Sequence, residues 1–547
     1  MSKKTLLLLA IPVLLVSLMI GCGRTGGGQS SGQKQSLGQT RPNILFIMSD
    51  DHAYQAISAY NDKLIQTPNI DRIANEGMKF TNASVTNSIC APSRAVILTG
   101  KHSHLNGKID NISPFDTAQM TFPQLLQKAG YQTAMFGKLH FGNNPKGFDE
   151  FKILPGQGEY YNPDFITKTE GKINLKGYVT DLITDMTLNW LKTERDASKP
   201  FLMMYLHKAP HRAWMPALRH LPEFTSRTFP EPETLFDDYV GRGTAAKTAE
   251  MNIMKHMFWS YDSKLYPETV QAVGLDKTPM GKPSGFESYM GRMDERQRAE
   301  WGKYYQPISK NFEKEYSKMS DKALMRWRYQ RYMQDYLGTI AAVDEGVGQV
   351  LDYLKESGLD KNTIVIYTSD QGFYLGEHGW YDKRFVYEES FRTPLLIKWP
   401  GVIEPGSVNS QMVQNLDFAP TFLSAAGVKV PADMQGESLI PLFRGKTADF
   451  RDAAYYHYYE YPAEHAVKRH YAIVTERYKL IHFYYDIDEW ELYDRQKDPQ
   501  EMKNVYDDPA YADVKAKLHK DLKALRAKYK DSKELDDFYI ERSKKTK

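Results

Sequence analysis

Three short apolar runs, each followed at once by polar residues, constrain the fold of this chain more than any other feature of its sequence. They occupy residues 43–48, 201–206 and 363–368. Continuous apolar runs of this length predict strands that are buried on both faces, as in a parallel sheet. Helical patterns lie between them, the clearest over residues 340–354, with Gly358 as its stop signal. Buried strands that alternate with helices predict an α/β domain with a mainly parallel sheet.

Polar residues with useful chemistry follow each apolar run. In chain order they are Asp50 and Asp51, then His211, then Asp370 and Gln371. Because ligands bind beyond the carboxyl ends of parallel strands, we expect these side chains to share one site. Two adjacent carboxylates repel each other unless a cation lies between them, and oxygen ligands favour Ca²⁺ or Mg²⁺. For the two aspartates alone, a solvated acidic turn is the alternative.

Cys90 opens a second stretch with chemical potential. The sequence Cys-Ala-Pro-Ser-Arg runs from Cys90 to Arg94 and leads into an apolar helical run. Proline near the start of such a run predicts a helix N-terminus, whose free N–H groups can face an anion. Arg94 adds a cationic group at the same place. Cys90 is therefore predicted to lie beside a bound oxyanion, and a buried small apolar side chain is the alternative.

These residues together resemble the signature of the type I sulfatases. Cys-Xaa-Pro-Ser-Arg followed by Leu-Thr-Gly100 is the centre of the resemblance, which extends over about residues 42–500. Further family motifs occur in the same order along the chain. They are the Asp50-Asp51 pair, Gly-Lys138-Leu-His140-Phe-Gly, Ala-Pro-His211, Asp370-Gln371-Gly and Trp-Tyr-Asp-Lys383.

The resemblance implies a fold like that of alkaline phosphatase. The expected architecture is a large α/β domain with a mixed, mostly parallel sheet flanked by helices, plus a small α+β C-terminal subdomain with an antiparallel sheet. We expect residues 42–445 to form the catalytic domain and residues 446–547 the subdomain. Apolar residues from Val514 to Leu525 predict an amphipathic helix in the latter. Residues 222–330 lack a clean period and are predicted to be an insertion with helices near its end.

The resemblance also implies a cofactor set. In that family the motif cysteine is oxidised to Cα-formylglycine, so Cys90 would be the substrate of a formylglycine-generating enzyme. One Ca²⁺ would be held by Asp50, Asp51, Asp370 and Gln371, with position 90 near the metal. Many relatives carry asparagine or histidine where this chain has Gln371.

The implied catalytic residues are Cys90, Arg94, Lys138, His140, His211 and Lys383. Arg94 and Lys138 would fix the aldehyde hydrate, while Lys138, His211 and Lys383 would contact the sulfate. A hydrated aldehyde offers two hydroxyls, of which one can attack sulfur and the other can later expel sulfate. We expect His211 to protonate the leaving oxygen and His140 to act as the base, although these two roles could be exchanged or shared with Lys383.

The stretch 369–390 most resembles bacterial N-acetylglucosamine-6-O-sulfatases, as does the segment 465–471. This resemblance implies exo-acting removal of 6-O-sulfate from N-acetylglucosamine in heparan-type or mucin glycans. It also implies that Arg469 and His470 lie near the substrate sugar, for which an ordinary surface turn before a strand is the alternative. Another sulfated sugar or sulfate position stays open.

The first 40 residues carry an export pattern. Lys3 and Lys4 precede an apolar run over residues 6–20, which is short for a membrane helix and is typical of a signal peptide. Met-Ile-Gly-Cys22 then resembles a bacterial lipobox, so residues 1–21 would be removed and Cys22 would carry lipid. Residues 22–41 are predicted to be a flexible tether. We expect an exported, lipid-anchored protein, periplasmic or on the cell surface of a Gram-negative-type bacterium, and a plain secretory signal is the alternative.

Composition excludes other classes of protein. The formal net charge of +3, from 71 Lys and Arg against 68 Asp and Glu, does not fit a strongly basic nucleic-acid binder. Two alternatives to a sulfatase remain at this point. One is a phosphoester hydrolase of the same superfamily with shared metal ligands. The other is a non-catalytic glycan-binding lipoprotein in which Cys90 is not converted.

Overall fold

The computed structural model of the protein describes residues 41–446 and 450–545. The predicted signal peptide, lipobox and all of the tether except Arg41 lie outside the described residues. The described residues belong to a single unit, and the predicted division into two domains at residue 445 stays a prediction. In the described ranges, none of the helices combines the length and the apolar character that a membrane span requires.

The strands form one large sheet, a small pair and a separate C-terminal sheet. In chain order they are β1 (Asn43–Ser49), β2 (Met78–Phe80), β3 (Ala83–Ser84), β4 (Gln132–Lys138), β5 (Glu150–Leu154), β6 (Asp164–Thr167), β7 (Gly171–Asn174), β8 (Phe201–Leu206), β9 (Thr363–Ser369), β10 (Leu395–Lys398), β11 (Ser407–Asn409), β12 (Val413–Gln414), β13 (Ala453–Tyr458), β14 (His470–Thr475), β15 (Tyr478–Phe483) and β16 (Glu489–Asp494).

The large sheet has ten strands in the order β11-β2-β10-β9-β1-β8-β4-β5-β6-β7. Its five central strands, from β9 to β5, are all parallel, while β10, β6 and β7 run antiparallel to their neighbours. The three predicted apolar runs are β1, β8 and β9, which lie side by side at the centre. The predicted fold class is therefore confirmed.

The central strand β1 is buried on both faces, as its continuous apolar run predicts. Leu45 and Ile47 pack into a core with Val343 and Val347 of the long helix that covers one face. Phe46 faces the opposite core, which the helices of the other face cover. This two-sided burial holds the strand rigid, so the residues directly after it are fixed in position.

The helices flank the sheet and fill the long connection between β8 and β9. In chain order they are α1 (Pro68–Asn75), α2 (Cys90–Thr99), α3 (Ser103–Asn106), α4 (Phe122–Lys128), α5 (Val179–Asn189), α6 (Leu221–Phe224), α7 (Thr244–Thr248), α8 (Ile253–His256), α9 (Pro267–Ala272), α10 (Ser284–Arg292), α11 (Glu295–Glu315), α12 (Asp321–Glu356), α13 (Glu388–Phe391), α14 (Phe418–Ala425), α15 (Ile440–Phe443), α16 (Ala512–Lys528) and α17 (Lys533–Lys545).

The C-terminal strands β13–β16 form the expected antiparallel sheet, in sequential order. The predicted amphipathic helix is α16, whose Leu518 and Leu522 pack against this sheet. The same cluster includes Val96 of α2, while Ala91 and Ala95 of α2 belong to a core of the large sheet. Helix α2 is therefore clamped between the two sheets, and all ten of its residues are buried.

Candidate active site

The predicted metal ligands come together where β1 and β9 end. The parallel register pairs Ser49 with Ser369, so the next residues of the two strands are neighbours. The backbone N–H of Asp51 donates to Oδ1 of Asp370 at 3.1 Å. Asp50, Asp51, Asp370 and Gln371 are all without exposed surface. Sheet register, rather than sequence proximity, creates this cluster.

Two lysines supply positive charge to the cluster. Lys138 is the last residue of β4, and its ammonium pairs with Asp50. Lys383, from the segment after β9, donates to Oδ2 of Asp51 at 2.7 Å. Both lysines are buried, so their ion pairs are little screened by water.

Arg94 completes the cationic set from helix α2. Its Nε and Nη2 donate to Oδ2 of Asp370 at 2.9 and 2.8 Å, and its Nη1 donates to the carbonyl of Lys138. Nη2 also lies 3.6 Å from Oδ1 of Asp50. Arg94 therefore joins the ends of β4 and β9 to the first turn of α2.

The carboxylates differ in how easily they ionise. Burial raises the pKa of Asp51 to about 6, although Lys383 opposes the shift. Burial and the neighbouring Asp50 raise the pKa of Asp370 to about 7. Burial also acts to raise the pKa of Asp50, but Lys138 and the other nearby cations hold it well below its usual range. Three cations match the three aspartates in number, but the raised pKa values of Asp51 and Asp370 show that these two carboxylates are incompletely stabilised as anions, and a further cation beside them would lower both pKa values.

Cys90 is the first residue of α2 and has no exposed surface. Its sulfur belongs to a group with Asp50 and His211 whose ligand atoms all lie within 4.8 Å of one another. Burial and the nearby Asp50 raise the pKa of the Cys90 thiol well above its usual value. An unmodified Cys90 would therefore stay a neutral thiol and would be a poor nucleophile.

The first turn of α2 is fixed by hydrogen bonds from distant segments. Oδ1 of Asn111 accepts from the N–H of Ala91 at 3.0 Å. The hydroxyl of Ser93 donates to the carbonyl of Asp370 and accepts from Nδ2 of Asn415 at 2.8 Å. The prediction that the helix end offers free N–H groups is therefore wrong for Ala91, because Asn111 already occupies that donor.

The two predicted histidines approach the cluster from different strands. Nδ1 of His211 donates to the carbonyl of Arg212 at 2.6 Å, and its Nε2 lies 3.8 Å from Oδ2 of Asp51. His140 follows β4, and its buried Nδ1 has no hydrogen-bond partner among the described residues. Burial and the nearby Lys138 lower the pKa of both rings well below the usual value. Both are therefore neutral imidazoles in the free protein.

The cluster fits a divalent cation. Carboxylate oxygens of Asp50, Asp51 and Asp370 all lie within 4.8 Å of one another. Gln371 donates through Nε2 to Asp51, while its buried Oε1 has no hydrogen-bond partner within the described ranges. A hard cation with oxygen ligands would satisfy this orphaned oxygen and relieve the repulsion among the carboxylates.

Two models of protein families match this chain. The model of the sulfatase family matches residues 42–428. The chain belongs to the sulfatase family. A second model, for the C-terminal part of N-sulphoglucosamine sulphohydrolase, matches residues 376–528. The resemblance found in the motifs is thus confirmed, and the enzyme is a sulfatase, which implies a formylglycine and a metal.

Individual relatives agree with this family. The sulfatase is 53% identical, over 90% of its chain and 87% of the relative, to N-acetylglucosamine-6-O-sulfatase of Bacteroides thetaiotaomicron. A solved structure of a protein in complex with its substrate, D-glucosamine-2-N,6-O-disulfate, matches with a TM-score of 0.85 and 51% identity, covering 90% of this chain and 99% of that one. Phosphonate monoester hydrolase from Silicibacter pomeroyi matches with a TM-score of 0.63 and 20% identity, covering 89% of this chain and 96% of that one, and shares the fold.

Sequence analysis of the sulfatase missed a buried polar wall beside Lys383, formed by Asp382, Arg384, Glu460 and His465. Arg384 donates through Nη1 to Glu460 and through Nε to Asp382, both at 3.2 Å. Nε2 of His465 lies 3.3 Å from Oδ2 of Asp382. Asp382, Arg384 and His465 have φ angles of 76°, 98° and 69°, and such backbone strain concentrates at functional sites.

Part of this wall could have been found from the sequence. Asp382 and Arg384 flank Lys383 in the motif that carried the family resemblance. Glu460 gives no sequence signal, because its partner Arg384 lies 76 residues earlier. His465 is the first residue of the segment 465–471 that resembles the N-acetylglucosamine-6-O-sulfatases, so the same resemblance contains a signal for it.

Arg469 and His470 are not brought to the cluster of metal ligands. Nδ1 of His470 contacts the carbonyl of Lys468 at 2.8 Å, and Nε2 accepts from the N–H of Val386 at 3.1 Å. Arg469 donates to the carbonyl of Tyr461 at 3.0 Å. His470 has no exposed surface and uses both ring nitrogens, so its position does not support the predicted contact with the sugar. Arg469 is likewise buried and holds the loop that carries His465.

A cavity of about 240 Å³ adjoins the cluster on the side of His211. Its lining combines aromatic, cationic and anionic side chains. They include Lys208, Arg212, Tyr261, Tyr289, Glu159 and Glu464. His211 thus borders both the carboxylate cluster and a space that can accept a further part of a substrate.

Proposed function

We propose that this sulfatase removes the 6-O-sulfate from terminal N-acetylglucosamine or N-sulfated glucosamine of heparan-type or mucin glycans. The observation that carries the proposal is the 53% identity, over 90% of the chain, to N-acetylglucosamine-6-O-sulfatase. A buried site with one cysteine, three carboxylates and three cations is consistent with the chemistry of a sulfate ester.

Two groups implied by the family would complete the site. Asp50, Asp51, Asp370 and Gln371 would hold one Ca²⁺, which would neutralise charge that develops on the sulfuryl oxygens. A formylglycine at position 90 would supply a hydrated aldehyde, whose hydroxyls serve as nucleophile and as the means of releasing sulfate. Support for the modification comes from the neutral, buried thiol of Cys90, which by itself offers no strong nucleophile.

The protein's own cations would bind the sulfate. Lys138 and Lys383 have buried ammonium groups that pair with Asp50 and Asp51. With a divalent cation on the carboxylates, these ammonium groups become free to donate to sulfuryl oxygens. Arg94, whose donors are used by Asp370 and a carbonyl, would hold the metal ligand and the helix rather than the sulfate.

His211 suits the role of acid at the leaving oxygen, because it lies between the cluster and the 240 Å³ cavity. Its Nδ1 is fixed by the carbonyl of Arg212, so Nε2 is the nitrogen that exchanges a proton with the substrate. The bound sulfate anion would raise the pKa of His211 and favour the protonated ring. His140, with its unpartnered Nδ1, would serve as the base.

Exo-action and export are further parts of the proposal. A small cavity beside fully buried ligands favours the terminal sugar of a chain over an internal one.

The apolar run over residues 6–20 and the Met-Ile-Gly-Cys22 sequence support export and a lipid anchor. Because Cys90 has no exposed surface, a formylglycine-generating enzyme would have to act before α2 is packed.

The test is sulfate release from 6-O-sulfated N-acetylglucosamine by protein co-produced with a formylglycine-generating enzyme. Isomers sulfated at other positions and a phosphate monoester run in parallel, with Cys90→Ala as the control and a mass spectrum of the Cys90 peptide. We expect release from the 6-O-sulfate that the control lacks. Release only from another isomer or from the phosphate ester would refute the specificity, and an unmodified thiol in the native host would favour a glycan-binding lipoprotein.

A further inference from the structure

Lys208 is a buried cation that the sulfatase chemistry above does not use. It follows β8, three residues before His211, and is 3% exposed. Its ammonium donates to the carbonyls of Gln157 and Arg212 at 3.2 and 3.3 Å and lies 4.7 Å from the ring centre of Tyr160. It forms no ion pair with any carboxylate in the described part of the chain. Since buried charges are normally paired, this one calls for an anionic partner.

The cavity beside His211 is the space that Lys208 faces. Arg212 lines it too, but its guanidinium is held by Asp262 at 2.7 and 2.6 Å and by Glu464 at 3.3 Å. The charge of Arg212 is therefore neutralised within the protein. Lys208 has no carboxylate in contact, since its ammonium touches only carbonyl dipoles and an aromatic ring. Asp50, Asp51 and the cavity-lining Glu159 act on it only from a distance.

We propose that Lys208 binds a second anionic group of the substrate, placed in this cavity while the reacting sulfate lies at Cys90. The assignment rests on the proposed function and deepens it. One source of such a group is an N-sulfo substituent on the same glucosamine, as in the substrate of the solved relative. The other is the carboxylate of an adjoining uronic acid. In either case the ammonium would gain a charge-assisted hydrogen bond that a neutral sugar cannot provide.

The electrostatics agree with this assignment. Burial and the nearby Lys138 lower the pKa of Lys208 to about 8. The protonated form of Lys208 is therefore disfavoured when the cavity holds no anion. Both neighbouring carbonyls accept at long range, so they can yield to a stronger acceptor without breaking a short bond.

The experiment compares kcat/KM for glucosamine-2-N,6-O-disulfate with that for 6-O-sulfated N-acetylglucosamine. A third substrate joins the N-acetylated sugar to a uronic acid. The variants are Lys208→Met, Lys208→Arg and, as a matched control, Lys355→Met, an exposed lysine near the end of α12. Formylglycine content is measured by mass spectrometry in each preparation, so that folding and maturation are compared directly.

We expect Lys208→Met to lower kcat/KM for the substrate with the recognised second anion about tenfold or more, and for the neutral N-acetylated sugar less than threefold. Lys208→Arg should recover part of the loss, and Lys355→Met should have no effect. A loss confined to the disulfate identifies the N-sulfo group, and one confined to the disaccharide identifies the carboxylate. Equal losses on all three substrates, or none, overturn the assignment.

A binding measurement separates this proposal from the proposed function. Glucosamine-2-N-sulfate and N-acetylglucosamine lack the reacting sulfate, and their binding to Cys90→Ala protein can be followed by calorimetry. If Lys208 holds the N-sulfo group, the first ligand should bind more tightly, and Lys208→Met should abolish the difference. If the wild type releases sulfate from neither monosaccharide nor disaccharide, the proposed function fails and this assignment with it. If it releases sulfate without any dependence on Lys208, only this assignment fails.

Discussion

The sulfate end of the site and the polar wall beside it are built in different ways. The sulfate end consists of Asp50, Asp51, Asp370, Gln371, Lys138 and Arg94, which lie at the ends of parallel strands and in the first turns of α2. The polar wall of Asp382, Arg384, Glu460 and His465 comes from loops that the C-terminal sheet holds in place. The first is fixed by backbone register and the second by side-chain pairs across distant segments.

The difference suggests a division of labour. Register between buried strands cannot change without disrupting the core, so the groups predicted to act on sulfur are held rigidly. Loops tolerate substitution more readily, and residues that select a ligand are often found there. The wall should therefore govern which sugar is accepted, while the sulfate end should govern whether any sulfate ester reacts.

Asp370→Asn should give the largest effect and should act on all substrates alike. The change removes a predicted metal ligand and the carboxylate that accepts two bonds from Arg94. We expect kcat to fall by about 10²–10³-fold for sugar sulfates and aryl sulfates, with lowered calcium content by elemental analysis. Asp352→Asn, at an exposed aspartate paired with Arg72, is the matched control. A loss limited to sugar substrates would contradict the proposed division of roles between the sulfate end and the polar wall.

Arg384→Met tests the wall. Glu460 and Asp382 would lose a buried partner that contacts each at 3.2 Å. We expect kcat/KM for the sugar sulfate to fall by about 10–100-fold, since hydrogen bonds to charged groups in such sites are costly to lose. A small aryl sulfate, which does not reach the wall, should change less than threefold. Arg326→Met, at an exposed ion pair with Glu231, serves as the control. Equal losses on both substrates would place Arg384 with the sulfate end.

In the metal-free protein, Asp51 and Asp370 of the sulfate end should make the fold less stable as the pH rises. The pKa values of Asp51 and Asp370 are raised to about 6 and about 7, mainly by burial, so the folded state binds more protons than the unfolded state above pH 4. Asp50, whose pKa is lowered, changes nothing in this interval. His140 and His211, whose pKa values are lowered, act in the opposite direction over the same range, so the carboxylate effect is read by comparison with Asp370→Asn. Between pH 4 and pH 7, the Tm of EDTA-treated wild type should fall relative to that of the EDTA-treated variant. The gain in Tm on adding calcium should grow over the same range, and a constant gain would contradict the metal assignment.

Asn111→Ala should give the smallest effect and should affect both the sulfate end and the polar wall. Asn111 accepts from Ala91, beside Cys90, and donates through its N–H to Glu460 at 2.7 Å. Losing the side-chain acceptor should cost about 1 kcal/mol of unfolding free energy, measured by denaturant titration, with a loss of kcat below tenfold. Asn362→Ala, at a half-buried asparagine outside both regions, is the control. A loss as large as that of Arg384→Met would mean that the two regions are coupled more tightly than their construction suggests.

Much of the sulfate end could be predicted because the four oxygen ligands and Arg94 belong to local patterns, whereas Lys138 was implied only by the resemblance to the family. The apolar runs mark β1, β8 and β9, and the residues that follow them meet once those strands are parallel. Proline at position 92 marks the first turn of α2, which begins at Cys90. The contact of His470 with the sugar stays a prediction, and the sequence of β14 does not reveal that the ring turns inward, where both nitrogens contact backbone groups.

The sequence by itself determined three central strands of the large sheet, the helix that begins at Cys90 and the carboxylates that follow β1 and β9. Only the tertiary structure decided that Glu460 binds Asn111, 349 residues earlier, and that Lys208 is left without a carboxylate partner. The physical reason is the range of the forces involved. Strand and helix patterns report local burial, which each segment encodes for itself. The pairing of one buried charge with another depends on how separate loops pack, and no local pattern records that.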